Sequence, residues 1–526
     1  MPNIELLDDR KYAPKNLGDV MIAGLGVSGQ AVANFACDLL GARVNSLTIY
    51  AGVKSEESKV FAEECSSRGA TVIFNDEDPK GYYDLCVVSP GISQNSEFYK
   101  NARAVSTELI SEIELAWRES ARDSMWVGIT GTNGKTTITS LVQHIFAGAG
   151  KNSCAVGNIG QAAISVVSSG RFDIYVTELS SYQLASCKKF TPDIAILSNI
   201  TPDHLAWHGS FNAYASAKFG IFERMLNCNN AKIILNNEDE NIAAYMGSSD
   251  AFRGVRDGAG KICLLNTAGL GACDVEDVEV VEDANVVEDV EVVEDVNDGM
   301  RCDYIMANTE TIYMAHAANN PVGRGNNESQ HKDTLCKLSY ISLFGAHNVT
   351  NVMLACAAAY YAGISANEIA SAVSSFKALE HRIEPCGCIG EVSFFNDSKA
   401  TNTDAAICAL NAFPNAPLIV LLGGYDKGTP LDDLVASVAK VGCRVICFGK
   451  AGPRFFDAFQ STSVEAVLVQ TMEDATLYAV KVAKSGDAVL LSPACASFDE
   501  FNSFEHRGEV FKSIVSNLTQ KDGCDA

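Results

Sequence analysis

The chain has 526 residues, 47% of them hydrophobic, and a formal net charge of −25 at pH 7. This length fits three or four domains of ~150 residues, each able to bury its own core, and the negative charge argues against nucleic acid as a partner. We expect a cytoplasmic protein without membrane insertion, because no stretch approaches ~18 continuous apolar residues and the N-terminus lacks a basic, apolar leader.

The first predicted domain begins with a strand and a glycine loop typical of Rossmann-type folds. Its glycines are Gly24, Gly26 and Gly29. The predicted elements are a strand at 19–23, a helix at 30–40, strands at 46–50, 71–74 and 85–89, and a helix at 106–118. A dinucleotide site would have an acidic residue where the second strand ends, but Ala51 follows that strand. A nicotinamide-dependent oxidoreductase therefore stays only an alternative.

A phosphate-binding loop opens the second predicted domain. An apolar strand from Trp126 runs into Gly131-Thr-Asn-Gly-Lys-Thr-Thr before a helix. The small residues let backbone N–H groups approach phosphate oxygens, Lys135 supplies positive charge, and the Thr136 hydroxyl can reach a magnesium ion. Ile129 stands where the strict motif has its first glycine, so a surface turn is the alternative. We predict that the chain uses a nucleoside triphosphate.

A strongly acidic segment interrupts the second domain. Strands are predicted at 174–178, 194–199 and 232–236, and a helix at 348–362. Between them, residues 274–298 contain twelve Asp or Glu and no Lys or Arg. Such a run repels itself and buries little, which predicts a disordered insertion with loop-like flanks at about 265–273 and 318–333. An acidic interaction segment or an ion-binding one is the alternative.

Several polar residues follow predicted strands, where ligand-facing side chains of α/β sheets are found. Glu178 ends a strand and is a natural magnesium ligand, with helix capping as the alternative. His204 and Lys218 taken singly would more often be a solvated histidine and a lysine that reaches the surface. A third domain is predicted from strands at 392–396, 418–422, 445–448 and 488–492. Its candidates lie in Asn396-Asp-Ser-Lys-Ala-Thr-Asn, Gly423-Gly-Tyr-Asp-Lys-Gly and Leu491-Ser-Pro-Ala-Cys-Ala-Ser.

Together these segments resemble the Mur ligases of peptidoglycan synthesis over nearly the whole chain except the acidic insertion. Further matching blocks are Gly157-Asn-Ile-Gly, Asp203-His-Leu, the Lys218 helix, Gly345-Ala-His-Asn and His381-Arg. The blocks at 396 and 491 favour the branch that adds D-glutamate. The resemblance implies three α/β domains: a Rossmann-like domain at 1–115, a P-loop ATPase-type domain at 116–379 with the insertion and its flanks at about 265–333, and a Rossmann-like domain at 380–526.

The resemblance also implies the chemistry of an ATP-dependent carboxylate–amine ligase. ATP would phosphorylate the L-alanine carboxylate of UDP-N-acetylmuramoyl-L-alanine, and the D-glutamate amine would attack the acyl phosphate through a tetrahedral intermediate. Two magnesium ions would assist, and Lys218 would carry a carbamate that turns a cation into an acidic ligand. We expect a monomer. Another ligase of the superfamily, such as folylpolyglutamate synthase, and a catalytically silent nucleotide-binding regulator are the alternatives.

By the same resemblance, each ligand has its own group of residues. The catalytic residues would be Lys135, Glu178, His204, Lys218 and Lys399. ATP would be bound by Gly131, Thr132, Asn133, Gly134, Lys135, Thr136, Thr137, Asn158, Asn348, Asn351, Arg382 and Asp397. Magnesium would be bound by Thr136, Glu178, His204 and Lys218. D-glutamate would be held by Lys399, Thr401, Lys427, Ser497 and Phe504. The UDP-linked substrate would contact Gly24, Gly26, Val27, Ser28, Ser89 and Gly91. Ala206, where family members usually carry Asp, is a departure that we interpret as the loss of a supporting contact.

Overall fold

The computed structural model describes residues 7–253, 255, 261–269, 302–316, 332–343, 345–377, 379–413, 417–425 and 428–521. The chain divides into two compact units, Met1–Ile341 with Thr350–Ser375, and Ser342–Val349 with Phe376–Ala526. The first unit holds a five-stranded and a nine-stranded sheet, and the second a six-stranded sheet. The predicted fold class, α/β with three domains, is confirmed. Among the described helices, none is long and apolar enough to cross a bilayer.

The first sheet is fully parallel, with the strand order β3-β2-β1-β4-β5. Its elements are β1 Gly18–Ala23, α1 Val27–Asp38, β2 Val44–Tyr50, α2 Glu56–Ser67, β3 Thr71–Ile73, β4 Tyr83–Val88, α3 Glu97–Ala104, β5 Ser106–Ser111 and α4 Glu112–Glu119. Alternate residues of β1 enter two different cores, Val20 and Ile22 on one face and Met21 and Ala23 on the other. The sheet is therefore covered on both faces, as parallel sheets require.

The predicted helix at 106–118 is wrong in its first half. Ser106–Ser111 forms strand β5, which pairs in parallel with β4 and buries Leu109 and Ile110 completely. The helix begins only after Ser111, whose hydroxyl accepts a hydrogen bond from the N–H of Glu114 and so caps α4. Long-range pairing with β4 decides the conformation of this segment, and a local pattern does not contain that information.

The nine-stranded sheet has the order β14-β13-β12-β11-β10-β9-β6-β8-β7, with antiparallel pairing only from β12 to β14. Its strands are β6 Met125–Thr130, β7 Ser153–Gly157, β8 Ile174–Glu178, β9 Ile194–Leu197, β10 Lys232–Leu235, β11 Ile262–Gly269, β12 Asp303–Asn308, β13 Thr311–Ala315 and β14 Lys332–Lys337. Its helices are α5 Lys135–Gly148, α6 Ala163–Ser169, α7 Ser181–Ala185, α8 Leu205–His208, α9 Phe211–Met225, α10 Glu240–Ser248, α11 Asp250–Arg253, α12 Ala346–Tyr361 and α13 Ala366–Ser375, with a 3₁₀ helix at Leu338–Tyr340.

The predicted extent of the insertion and its flanks was too wide. Within about 265–333 the structure has β12 and β13, the end of β11 and the start of β14. β12 and β13 bury Ile305, Ile312 and Met314 completely, so they belong to the sheet. The acidic segment 274–298 itself lies outside the described residues.

One hydrophobic core joins the first two predicted domains. Trp117 of α4 and Trp126 of β6 both pack edge-on against Phe190, with ring centroids 5.7 and 5.9 Å apart. Buried residues of the first sheet, α4, α6 and the second sheet therefore form one continuous hydrophobic cluster. This packing fixes the two sheets of the first unit against each other.

The six-stranded sheet of the second unit has the order β15-β16-β20-β17-β18-β19, antiparallel only between β15 and β16. Its elements are β15 Glu384–Ile389, β16 Val392–Asn396, α14 Thr403–Leu410, β17 Leu418–Gly423, α15 Asp432–Val441, β18 Arg444–Phe448, α16 Gly452–Phe459, β19 Ala466–Leu468, α17 Met472–Val482, β20 Ala488–Leu491 and α18 Phe504–Lys521. The candidate loops follow β16, β17 and β20, at the carboxyl edge of the parallel strands.

Candidate active site

Two glycines shape the loop between β6 and α5. Gly131 has φ +155°, and a Cβ there would lie 1.9 Å from Ser198 Oγ. Gly134 is the N-cap of α5 with φ +82°, and a Cβ there would lie 2.5 Å from Asn351 Oδ1. A larger residue at either position would clash with its neighbour. It would also adopt a backbone conformation that is unfavourable for a residue with a Cβ, so both positions need glycine.

The end of β9 holds the loop in place. Thr132 N–H donates to Asn199 O at 2.9 Å, and Asn133 N–H to Asn199 Oδ1 at 2.8 Å. Ser198 Oγ donates in turn to Asn133 O at 2.7 Å. The N–H groups of Thr132 and Asn133 are thus engaged within the protein. By helix geometry, the first-turn N–H groups of α5 point toward the helix N-terminus, where an anion can be received.

Two lysines converge on one loop carbonyl. Lys135 Nζ donates to Gly131 O at 2.9 Å and Thr132 O at 2.7 Å. Lys218 Nζ donates to the same Gly131 O at 2.7 Å and to Thr130 Oγ1 at 3.3 Å. Burial, and then the charge of Lys135, lower the pKa of Lys218 well below its ordinary value, although Asp203 and Glu178 oppose the shift. A lysine that is only 1% exposed beside a second cation favours the neutral amine.

Glu178 ends β8 in register with Ile129 of β6, so its carboxylate lies at the sheet edge that carries the loop. Its Oε1 accepts from Asn158 Nδ2 at 2.8 Å. Its buried Oε2 has no hydrogen-bond partner among the described residues. A buried carboxylate oxygen without a donor suits a hard cation, so this residue fits a magnesium ligand.

His204 is held at the start of α8. Its backbone is left-handed, with φ 55°, and its Nε2 lies 3.4 Å from Asp203 Oδ2. The ring of Tyr182 packs against it with a centroid distance of 4.7 Å. The next histidine along the chain, His208, is buried and hydrogen-bonded to Ser181 Oγ at 2.9 Å. Burial, with His204 and Lys218 nearby, lowers the pKa of His208 to about 4, so His208 is neutral.

Sequence reasoning missed Tyr214. Its hydroxyl hydrogen-bonds Thr132 Oγ1 at 2.7 Å, and Lys218 Nζ lies 5.0 Å from its ring centroid. The available signal was the spacing, because residues four apart on a helix share a face. Tyr214 therefore joins the loop to the buried lysine.

The glycine loop of the first sheet contacts the segment after β4. Ser89 Oγ donates to Gly24 O at 3.1 Å, and a Cβ on Gly29 would lie 2.0 Å from Gly24 O. Val27 is 79% exposed, Gly26 is exposed and Ser28 is half-buried. Gly91 O accepts from Trp207 Nε1 at 3.4 Å, which places this segment next to α8. The predicted substrate residues of this domain thus line one edge of its sheet.

In the second unit, Asp397 is the centre of a buried polar group. Ser492 Oγ donates to its Oδ2 at 2.7 Å, and Ile383 N–H to its Oδ1 at 3.3 Å. Burial raises the pKa of Asp397 to about 7, and Arg382 acts against that shift. His381 and Ile383, on either side of Arg382, have φ of 63° and 46°. Such strained backbone is typical of functional segments.

The residues predicted for D-glutamate follow β16 and β20. Lys399 Nζ lies 3.7 Å from the ring centroid of Phe504, a cation–π contact. Ser497 is buried and Thr401 is half-buried. Lys427 lies outside the described residues. Asn348 belongs to this second unit, whereas Asn351 belongs to the first unit and lies against Gly134.

Arg507 is a second residue that sequence reasoning missed. It is fully buried and donates to Ser398 Oγ, Ser398 O, Cys495 O and Ala496 O at 2.8–3.2 Å. Burial lowers its pKa to about 10. Ser398 Oγ donates onward to Phe504 O at 2.8 Å. Arg507 thus fastens together the three segments that carry Lys399, Ser497 and Phe504.

Known proteins match this chain over almost its whole length. Residues 129–255 match the Mur ligase middle domain, and residues 381–495 match the Mur ligase, glutamate ligase domain. UDP-N-acetylmuramoylalanine–D-glutamate ligase of Thermoanaerobacter pseudethanolicus is 33% identical over 95% of this chain and 98% of its own. The chain belongs to the Mur ligase family. It is an ATP-dependent amide ligase of peptidoglycan precursor synthesis, and Mur ligases use magnesium.

Two further similarities agree with this membership. The D-glutamate ligase of Caldanaerobacter subterraneus subsp. tengcongensis is 34% identical over 95% of this chain and 98% of its own. The crystal structure of MurF from Acinetobacter baumannii has a TM-score of 0.54 at 14% identity, covering 95% of this chain and 93% of that one. That likeness concerns the fold alone.

Proposed function

We propose that this chain joins D-glutamate to the L-alanine carboxylate of UDP-N-acetylmuramoyl-L-alanine, the activity EC 6.3.2.9. The observation that carries the proposal is the group formed by the phosphate loop, the buried amine of Lys218 and the carboxylate of Glu178. The D-glutamate specificity is supported by the relatives that carry this name at 33–34% identity. ATP and UDP-linked precursors are cytoplasmic compounds, which supports a cytoplasmic location.

At the ATP end, this chain's residues position and neutralise phosphate charge. The α5 N-terminus would receive the phosphates, and Lys135 would exchange its bonds to Gly131 O and Thr132 O for phosphate oxygens. Phosphoryl transfer between two anions depends mainly on such positioning and neutralisation. Asn351, packed on Gly134, would limit how the nucleotide enters.

The donor set fits magnesium at two places. Thr136 and Glu178 would hold one ion, and His204 with a carbamylated Lys218 the other. Bound magnesium would offset phosphate charge and polarise the phosphoryl group. The neutral Nζ of Lys218 would attack carbon dioxide, form an N–C bond and release one proton to solvent, leaving an anionic carbamate. The low pKa of this buried lysine supports that reaction, because only the unprotonated amine is nucleophilic.

The second unit would present the amino acid. Lys399, fixed over the Phe504 ring, would pair with a D-glutamate carboxylate, and Thr401, Lys427 and Ser497 would orient the molecule. Arg507 would hold these segments in position through its buried hydrogen bonds. The amine would then attack the acyl phosphate carbonyl, form the C–N bond and expel phosphate.

Phosphate release from ATP in the presence of magnesium and UDP-N-acetylmuramoyl-L-alanine tests the assignment. We expect release with D-glutamate and none above background with L-glutamate, L-alanine or diaminopimelate. Product mass should increase by one glutamyl residue. Phosphate release only with a different amino acid would assign the chain to another branch of the family. No phosphate release with any amino acid would favour a catalytically silent nucleotide-binding protein.

A further inference from the structure

An aromatic stack leads from His204 to Trp207. The Tyr182 ring centroid lies 4.7 Å from that of His204 and 4.6 Å from that of Trp207. Trp207 also packs on His208 at 4.5 Å. Tyr182 thus lies between the histidine and the tryptophan, and the four rings form one packed group. Because aromatic pairs at these distances contribute beyond their buried area, the group resists rotation of any one ring.

Trp207 is also attached to the segment that follows β4 in the first sheet. Its indole Nε1 donates to Gly91 O at 3.4 Å. Ser93 Oγ donates to Trp207 O at 2.6 Å, and Asn95 Nδ2 donates to His208 O at 3.2 Å. Asn95 Nδ2 also donates to Trp207 O at 3.4 Å. Residues 91–95, which we call the β4 segment, are therefore tied to α8 by four hydrogen bonds. Gly91 is one of the residues that the proposed function assigns to the UDP-linked substrate.

The backbone conformation of His204 depends on the residues packed around its ring. A left-handed φ of 55° is unfavourable for a residue with a Cβ and persists only where neighbours impose it. Asp203 contacts the ring on one side and Tyr182 packs on it. Two residues after His204, Ala206 has only a methyl group, so it adds no polar support to this turn.

We propose that Trp207 is a positioning residue that fixes the His204 ring, through Tyr182, relative to the β4 segment. This inference rests on the proposed function, in which His204 holds a metal ion and the β4 segment contacts the UDP-linked substrate. One packed group then orients both sites. Binding at one orders residues that the other needs, so the two affinities are coupled and the coupling is reciprocal.

The experiment compares variants of Trp207 and Tyr182 in the full chain. Mn²⁺ affinity is measured in the presence of ADP from the loss of the free-ion paramagnetic resonance signal, and KM is measured for each substrate. Trp207→Leu should weaken Mn²⁺ binding about tenfold, as removal of a ligand-orienting partner does. It should raise KM for UDP-N-acetylmuramoyl-L-alanine by a similar factor and leave KM for D-glutamate within about twofold.

Conservative variants separate the ring from its hydrogen bond. Trp207→Phe keeps a ring on Tyr182 but loses the donor to Gly91, so Mn²⁺ affinity should recover while the precursor KM stays raised about threefold. Tyr182→Leu should weaken Mn²⁺ binding as Trp207→Leu does, and Tyr182→Phe should not. If Trp207→Leu does not fold, the two Tyr182 variants and Trp207→Phe give the same decision.

The matched control is Tyr82→Leu, which removes a ring that is 66% exposed at the other end of β4. It should leave every constant unchanged. Wild-type Mn²⁺ affinity in both Trp207→Leu and Tyr182→Leu would overturn the positioning role, as would an equal rise in KM for D-glutamate. If wild-type protein releases no phosphate with D-glutamate, the proposed function fails instead, and the Mn²⁺ measurements still decide whether Trp207 orients His204.

Discussion

Buried ionisable side chains in this protein are compensated in different ways. The amine of Lys218 donates to Gly131 O and Thr130 Oγ1, whereas Arg507 is surrounded by carbonyl and hydroxyl oxygens. Glu112 has only one of its two oxygens hydrogen-bonded among the described residues. A buried charge without a counter-charge lowers the stability of the folded state. Such a group is therefore neutral, hydrogen-bonded to polar atoms, or part of a functional site. Two of these side chains give direct tests.

Replacing Lys218 by alanine tests whether the side chain acts as a carbamate. Turnover should fall by at least about a hundredfold, since the proposed metal ligand would be lost. Formate or acetate should restore part of the activity by supplying the missing carboxylate, and steady-state kinetics against acid concentration measures this rescue. The control is Lys100→Ala, which removes an exposed lysine paired with Glu97 and should keep full activity. Absence of rescue at every acid concentration would contradict the carbamate role.

Glu112 should make stability depend on pH. Its Oε1 accepts from Ile164 N–H at 2.7 Å at the start of α6, and burial raises its pKa to about 7 from 4.5. The folded chain therefore keeps a proton that the unfolded chain has released between pH 4.5 and 7, so this contribution to stability is lost as pH rises through that window. Glu112→Gln, which stays neutral, should gain about 2–3 kcal/mol over wild type at pH 8 and little at pH 4.5.

Thermal unfolding at the two pH values measures the effect. The matched control is Glu97→Gln, which removes an exposed carboxylate from the same domain and should show no such trend. A difference between Glu112→Gln and wild type that is equal at both pH values would mean that folding does not shift the pKa of Glu112.

At the scale of elements, sequence motifs predicted the strand-to-loop transitions well because the chemistry is local. Glycine, lysine and carboxylate residues within a few positions of one another were enough to predict three segments. These are the loop after β6, the end of β8 and the loop after β16. Partners that come from distant segments were not predictable: Ser198 and Asn351 reach Gly131 and Gly134 only through the fold. The misassigned strand β5 has the same origin, since its pairing with β4 is a tertiary contact.

Gly134→Ala should abolish tight ATP binding. The new Cβ would lie 2.5 Å from Asn351 Oδ1, and a φ of +82° costs alanine about 1–2 kcal/mol. Relieving the clash would move the N-terminus of α5, so ATP affinity should fall at least about tenfold. Titration calorimetry with ATP measures the loss.

Gly150→Ala is the matched control for this substitution. Gly150 lies just after α5 with φ +68°, and a Cβ there would meet nothing within 4 Å. Both variants place alanine in a left-handed backbone conformation, so both should lower Tm by similar amounts. Only Gly134→Ala should lose ATP affinity. Equal losses of affinity would mean that the backbone penalty, and not the contact with Asn351, controls the loop.

For the whole molecule, alternation of strands and helices predicted the three α/β domains, because hydrophobic periodicity is a repeated local signal. It did not predict that the first two domains share a core through Trp117, Phe190 and Trp126, since that cluster joins distant segments. Nor did it predict β12 and β13. These two short strands follow the acidic segment, and its composition led us to interpret the whole region as an insertion. The predicted boundaries at 115 and 379 stay predictions.

The acidic segment should be dispensable for catalysis. Strands β11 and β12 are parallel neighbours, with Cys263 opposite Asp303, so the chain after Gly269 must return to the start of β12. Parallel connections need about a dozen residues or more, and residues 270–302 provide 33. Replacing 274–298 by a Gly/Ser linker of about twelve residues keeps that reach while removing twelve carboxylates. We expect kcat within about twofold of wild type and Tm within about 2 °C.

The same replacement should change the response to salt. The three proposed substrates are anions, so removing twelve of the 25 net negative charges should lower KM for ATP at low ionic strength. The effect should be small at ~0.15 M salt, where the Debye length is about 8 Å. A variant of unchanged length with every acidic residue of 274–298 replaced by Asn or Gln separates charge from length. If both variants lost turnover at physiological salt, the segment would have a specific role in the catalytic cycle; if only the short variant did, the connection between β11 and β12 would need its full length.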